Sequence, residues 1–173
     1  MTTTFGNRAT QVDFVDYLRP WTGFLVATGN PKGIRTVEDL AGKSVVVEPG
    51  FLAEASLRAA SADLVAAGKP AIEIVTTTKS DEAWVEEFVA GRIDALAGDS
   101  MAVVYSADKP PYAGASEVGG PAIDPQPIGI GIRKGDAGMK AAVAAAIDAM
   151  YADGTMKSIV EKWGIADAVE LLK

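Results

Sequence analysis

Apolar residues along this chain switch repeatedly between the period of a strand and that of a helix. Gln11 to Val15 and Thr22 to Thr28 are rich in Val, Phe and Leu and predict strands, with Arg19-Pro20 interrupting them. Ser44 to Glu48 carries three consecutive valines, the pattern of a strand buried on both faces. Leu52 to Ala67 has helical spacing and ends at Gly68 and Pro70. Ile72, Ile74 and Thr76 alternate as a strand does. Ser80 then stands as the cap of a helix that sets Trp84 and Phe88 one turn apart, with Asp81 and Glu82 at its positive end. Gly91 stops that helix. Ile93 to Ala97 is a further strand, and Asp99 lies just past its carboxyl end, ahead of a helix from Ser100 to Ala107.

Residues 108–126 are rich in Pro and Gly and predict a loop, with one short strand near Glu117-Val118. Pro127 to Arg133 is a strand, expected to return beside Thr22 to Thr28. Two helices close the chain. Met139, Val143, Ile147 and Met150 form one apolar stripe, and Met156, Ile159, Val160 and Trp163 form another. Upstream, Thr36 and Asp39 have the spacing of a capping box before a short helix. Strand and helix alternate from residue 22 to 107, which predicts an α/β fold in three layers around a mainly parallel sheet. That sheet should have about five strands with one antiparallel. Ligands of such sheets bind beyond the carboxyl ends of the strands, so a site is expected near Gly50 to Glu54 and Asp99.

Composition narrows the chemistry. The 173 residues are 49% hydrophobic and 23% charged, ordinary values for a folded domain. The net charge of -7 and a pI near 4.6 argue against nucleic acid or an anionic membrane surface as a partner. The chain has neither Cys nor His, which excludes disulfides, thiol nucleophiles and imidazole bases. No cofactor is expected. No apolar run reaches the roughly 20 residues of a membrane span, and the first residues do not have the pattern of a signal peptide.

Several short signatures occur in a fixed order: Thr3-x-x-x-x-Arg8-x-x-x-Val12-Asp13-Phe14, Gly29-Asn30-Pro31-x-Gly33-Ile34, and Asp39-Leu40-x-Gly42-Lys43 leading into Val45-Val46-Val47. Gly91-Arg92-Ile93-Asp94-Ala95, Asp99-Ser100, Pro127-Ile128-Gly129-Ile130, Asp153-Gly154-Thr155 and Lys162-Trp163-Gly164 follow. Together they resemble the extracytoplasmic solute-binding proteins, family 3, which serve polar amino-acid ABC importers and have the type II periplasmic-binding-protein fold. The resemblance implies a chain that begins within the first of two lobes. Residues 1–28 would be the first hinge strand and a remnant of the first lobe. Residues 29–126 would be the second lobe, and 127–173 the returning hinge strand and C-terminal helices. It also implies an extracytoplasmic location and an ABC transporter permease as partner.

The resemblance assigns candidate site residues one by one. Arg8 matches the arginine that holds the ligand's α-carboxylate, and Thr3 the hydroxyl that assists it; the alternative is an exposed arginine near a terminus. Asp99 matches the carboxylate that pairs with the ligand's ammonium, and it also suits a helix cap. Gly50-Phe51-Leu52-Ala53-Glu54 matches a turn that reads Gly-Thr-Thr-x-Glu in relatives. Phe51 and Leu52 thus replace two hydroxyl residues, each loss removing a hydrogen bond of about 1 kcal/mol. Either the ligand is less polar than an ordinary amino acid, or Phe51 packs against another chain or the terminal helices. Trp21 could stack on a ligand or pack at the hinge, whereas Trp84 and Trp163 read as core. Gly29 to Gly33 lacks the spacing of a phosphate loop and reads as a turn.

These observations predict a non-enzymatic protein that captures a small amino-acid-like solute, weakly or not at all if the first lobe is absent. The alternatives are an enzyme resembling cyclohexadienyl dehydratases, and an engineered or decayed half-protein without a ligand. The terminal stripes, and hinge strands with unpaired edges, further predict a homodimer.

Overall fold

A computed structural model describes residues 2–3, 8–76 and 81–173, with the backbone alone for Thr2, Thr3, Asp81 and Glu82. The chain begins with β1 (Thr2–Thr3), α1 (Arg8–Gln11) and β2 (Val12–Arg19). β3 (Thr22–Ala27), β4 (Ser44–Val47), α2 (Leu52–Ala66), β5 (Glu73–Thr76), α3 (Asp81–Val89), β6 (Ala95–Asp99), α4 (Ser100–Ala107) and β7 (Ser116–Ile123) follow. β8 (Ile128–Arg133), α5 (Ala137–Ala152), α6 (Thr155–Lys162) and β9 (Glu170–Leu171) complete it. Two compact units result: one from residues 1–20 and 125–173, the other from residues 21–124.

The 21–124 unit is built on a five-stranded sheet in the order β5-β4-β6-β3-β7. β4 runs parallel to β5 and β6, while β3 is antiparallel to both β6 and β7. β3 is therefore the single reversed strand. The triple valine of β4 explains the layering. Val45 and Val47 pack with Leu57 and Leu64 of α2, whereas Val46 points the other way, toward Trp84 and Phe88 of α3 and Val103 of α4. A run apolar at every position can face helices on both sides, and that gives three layers. Gly23 lies where a Cβ would come 3.2 Å from the Cα of Ser100, so its missing side chain lets α4 start against β3.

The other unit carries an antiparallel sheet in the order β1-β8-β2-β9. Leu18, Ile128, Ile132, Ile147, Met156, Val160, Ala168 and Val169 are among its buried apolar side chains. The Tyr151 hydroxyl on α5 donates to the Tyr17 carbonyl and accepts from the Leu172 amide at 2.9 Å, tying α5 to β2 and to the chain end.

Several expectations change. Pro127 to Arg133 does not return beside Thr22 to Thr28: β8 pairs with β1 and β2, and both edges of β3 are taken by β6 and β7. The first strand runs on to Arg19, its register shifting between Asp16 and Leu18. Much of the expected 108–126 loop is strand β7, at the sheet edge where Pro121 and Gly120 are tolerated. The Ile93 to Ala97 strand begins two residues later, at Ala95. Trp163 is not core but 55% exposed, because α6 ends at Lys162 and leaves it at the C-cap. The capping role of Ser80 lies outside the described residues, as do the side chains of Asp81 and Glu82.

Candidate functional site

The carboxyl ends of β4 and β6 lie side by side, because these strands are parallel with Val47 in register with Ala97. The Gly50-Leu52 turn leaves from the first and Asp99 from the second. Reversed β3 begins at the same edge, with Thr22 paired to Asp99 and to Ile123 of β7. The sheet thus gathers Gly50, Phe51, Leu52, Asp99 and Trp21 at one edge of the 21–124 unit.

Asp99 is both the last residue of β6 and the N-cap of α4. Its carboxylate accepts the amides of Met101 at 3.0 Å and Ala102 at 3.4 Å. The residue keeps exposed surface, yet protein atoms crowd its carboxyl. Burial raises its pKa from the ordinary carboxylate value, and the two amides only partly oppose this. The charged form therefore lacks compensation, which a cation would supply. Ser100 locks the cap in place: its amide donates to the Trp21 carbonyl at 2.9 Å, and its buried hydroxyl accepts the Trp21 amide at 3.1 Å. Trp21 itself is half-buried.

The Gly50 turn is shaped differently. Gly50 has φ +80°, a backbone that favours glycine. Its amide donates to Glu54 at 2.8 Å, and Glu54 also binds Arg58 at 2.7 Å. Both contacts lower the Glu54 pKa, the Gly50 amide most of all. Phe51 occupies the N-cap of α2 with extended backbone and no side-chain cap, and it is 59% exposed. Leu52 is half-buried. Backbone amides are thus offered at the start of α2 without hydroxyls, alongside an exposed aromatic ring.

Glu48 also stands at this edge, where the sequence does not place it. The sequence placed it inside a buried strand, but β4 ends at Val47 and Glu48 is exposed just beyond it. Its position directly after the valine run, ahead of Pro49-Gly50, is the signal that could have marked it. Arg8 and Thr3 belong to the other unit. Arg8 is exposed on the short helix α1, and the backbone of Thr3 pairs with Ile128 in β8. Among the described residues no group of His, Cys, Asp and Glu is arranged to hold a metal ion, and no helix is long and apolar enough to cross a membrane.

Known proteins are similar to this chain. Residues 1–166 match the bacterial extracellular solute-binding proteins, family 3. The L-cystine-binding protein TcyJ of Escherichia coli (strain K12) is 33% identical over 159 residues, covering 90% of this chain and 56% of that protein. The L-arginine-binding protein of Pseudomonas aeruginosa PAO1 is 35% identical over 130 residues, covering 72% of this chain and 48% of that protein. The chain therefore spans about half the length of these relatives. Among solved structures, an ancestral arginine-binding protein bound to arginine is similar with a TM-score of 0.70 and 31% identity, over 94% of this chain and 68% of that one. Of the two competing descriptions, enzyme and binding protein, these relatives carry the second in their names. The chain belongs to the bacterial extracellular solute-binding proteins, family 3.

Proposed function

We propose that this chain captures a small amino-acid-like solute outside the cytoplasm and delivers it to the permease of an ABC-type importer. Membership in the family supports this reading, as do relatives named for binding L-cystine and L-arginine. The observation that carries it is Asp99, a crowded carboxylate at the carboxyl edge of a parallel sheet, with no ion-pair partner among the described residues. It takes the ligand's ammonium. The amides at the start of α2 face the same edge and supply donors. Arg8 and Thr3 are assigned the ligand's carboxylate on the resemblance alone. Binding, rather than catalysis, is the role; turnover of prephenate above background would overturn that part.

Amide chemical-shift titration with L-amino acids up to millimolar concentration tests the proposal. Asp99→Ala should weaken binding of an amine-bearing ligand by about 1 to 3 kcal/mol, the cost of removing a charged hydrogen-bond partner. Unchanged affinity would show that Asp99 is only a cap. The exposed apolar residues of α5 and α6 favour a second element of the reading, a homodimer.

A further inference from the structure

We infer that Glu48 is a specificity-determining residue of this site, selecting solutes that carry a second positive centre besides the α-ammonium; this rests on the function proposed above. The register of β4 with β6 sets Val47 opposite Ala97, so Glu48 stands one step beyond the end of β4 as Asp99 stands at the end of β6. Adjacent strands are about 4.8 Å apart and rise about 3.3 Å per residue, which puts the two backbone positions about 6 Å apart. Glu48 is exposed and makes no hydrogen bond or ion pair with any described residue. Glu54, the next carboxylate along, is already engaged by the Gly50 amide and Arg58. Two carboxylates with no ion pair to any described residue thus leave the same edge of the sheet, from neighbouring strands. A ligand with one positive centre relieves Asp99 alone, whereas one with two relieves both. The exposed ring of Phe51, on the turn that follows Glu48, adds a surface on which a cationic side chain can lie. Basic amino acids have this chemistry: one ammonium for Asp99 and a side-chain cation for Glu48.

The test compares L-lysine with L-norleucine, which lacks only the terminal ammonium, by amide chemical-shift titration of the whole chain and of Glu48→Gln. The expected result is tighter binding of L-lysine than of L-norleucine by about fivefold, the range for an exposed charge pair. That preference should shrink in 0.5 M salt, to on the order of twofold or less, and vanish in Glu48→Gln, which should weaken L-lysine more than L-norleucine. Equal affinity of the wild-type chain for both ligands overturns the role of Glu48 and leaves amino-acid capture standing. So does a Glu48→Gln variant that weakens both alike. Absence of any shift at Asp99, Met101 or Phe51 with any amino acid sinks the proposed function, and this inference with it.

Discussion

Two residues at the site edge carry opposite lessons about what a side chain does at a helix start. Asp99 caps α4, but burial raises its pKa from the ordinary value, so its charged form costs stability in the folded state. The sign follows from linkage. Stability from this group is fullest below the unfolded carboxylate pKa and is lost as pH rises through the raised folded value. Asp99→Asn keeps a side-chain acceptor for the cap and removes the titration. The melting temperature of the variant, compared with wild type across pH, should therefore gain on wild type as pH rises through that window and level off above it. A constant difference at every pH would show that the crowding does not act on the carboxylate. Asp39 has the opposite sign. The Thr36 and Arg35 amides hold it low, so its contribution is present above the ordinary value and lost as pH falls through the depressed one. Phe51 is the other case, an N-cap with extended backbone and no capping acceptor. Phe51→Ser should stabilise the chain by about 1 kcal/mol, the usual worth of a capping hydroxyl. A loss of stability in chemical denaturation would mean that Phe51 is buried against something in solution. The places of Asp99 and the Gly50 turn at the ends of β6 and β4 were legible in the sequence because each follows a clear strand. Glu48 was not, because an apolar run does not say at which residue it leaves the sheet.

At the scale of elements, legibility followed packing. β4 and α2 were readable because the same residues that set their periods also fill the core, and Leu57 of α2 is fully buried against β4. Leu57→Ala should cost about 2 to 5 kcal/mol by denaturant titration, the range for a large-to-small change in a closed core. A cost below about 1 kcal/mol would mean that α2 repacks freely. β7 was not readable, since its Gly119-Gly120-Pro121 segment carries turn chemistry. The structure explains the glycine: Gly120 has φ +79°, and a Cβ there would come 3.1 Å from Phe24 of β3. Edge position excuses the proline, whose missing donor removes no inner ladder bond. The second half of β2 was hidden for a related reason. Its register shifts between Asp16 and Leu18, so the alternation that marks a strand is broken where the strand continues. Strand order was likewise beyond a local reading. Nothing near Pro127 says that its strand pairs with β2 instead of β3, because that choice depends on β7 already occupying the outer edge of β3.

For the whole molecule the open matter is what covers the apolar surface of α5 and α6. The expected support from unpaired hinge strands is gone: β3 lies between β6 and β7, β2 between β8 and β9, and β8 between β1 and β2. The helices still leave large apolar residues in water: Met139 is 54% exposed, Ile159 39% and Trp163 55%, while Met156 and Val160 beside them are buried. The apolar face of α6 is therefore wider than the part its own unit covers, and a monomer would hold this surface open at a cost in solubility. Association of two copies through the same face is isologous and closes on itself, so it removes the surface without forming larger aggregates. Light scattering at micromolar concentration should give about twice the chain mass of 17.9 kDa. Trp163→Glu should return the mass to that of one chain with little change in unfolding free energy per chain, since an exposed C-cap side chain carries no core packing. A wild-type mass near 17.9 kDa would sink the dimer. Retention of the dimer in both Trp163→Glu and Ile159→Glu would place the contact elsewhere.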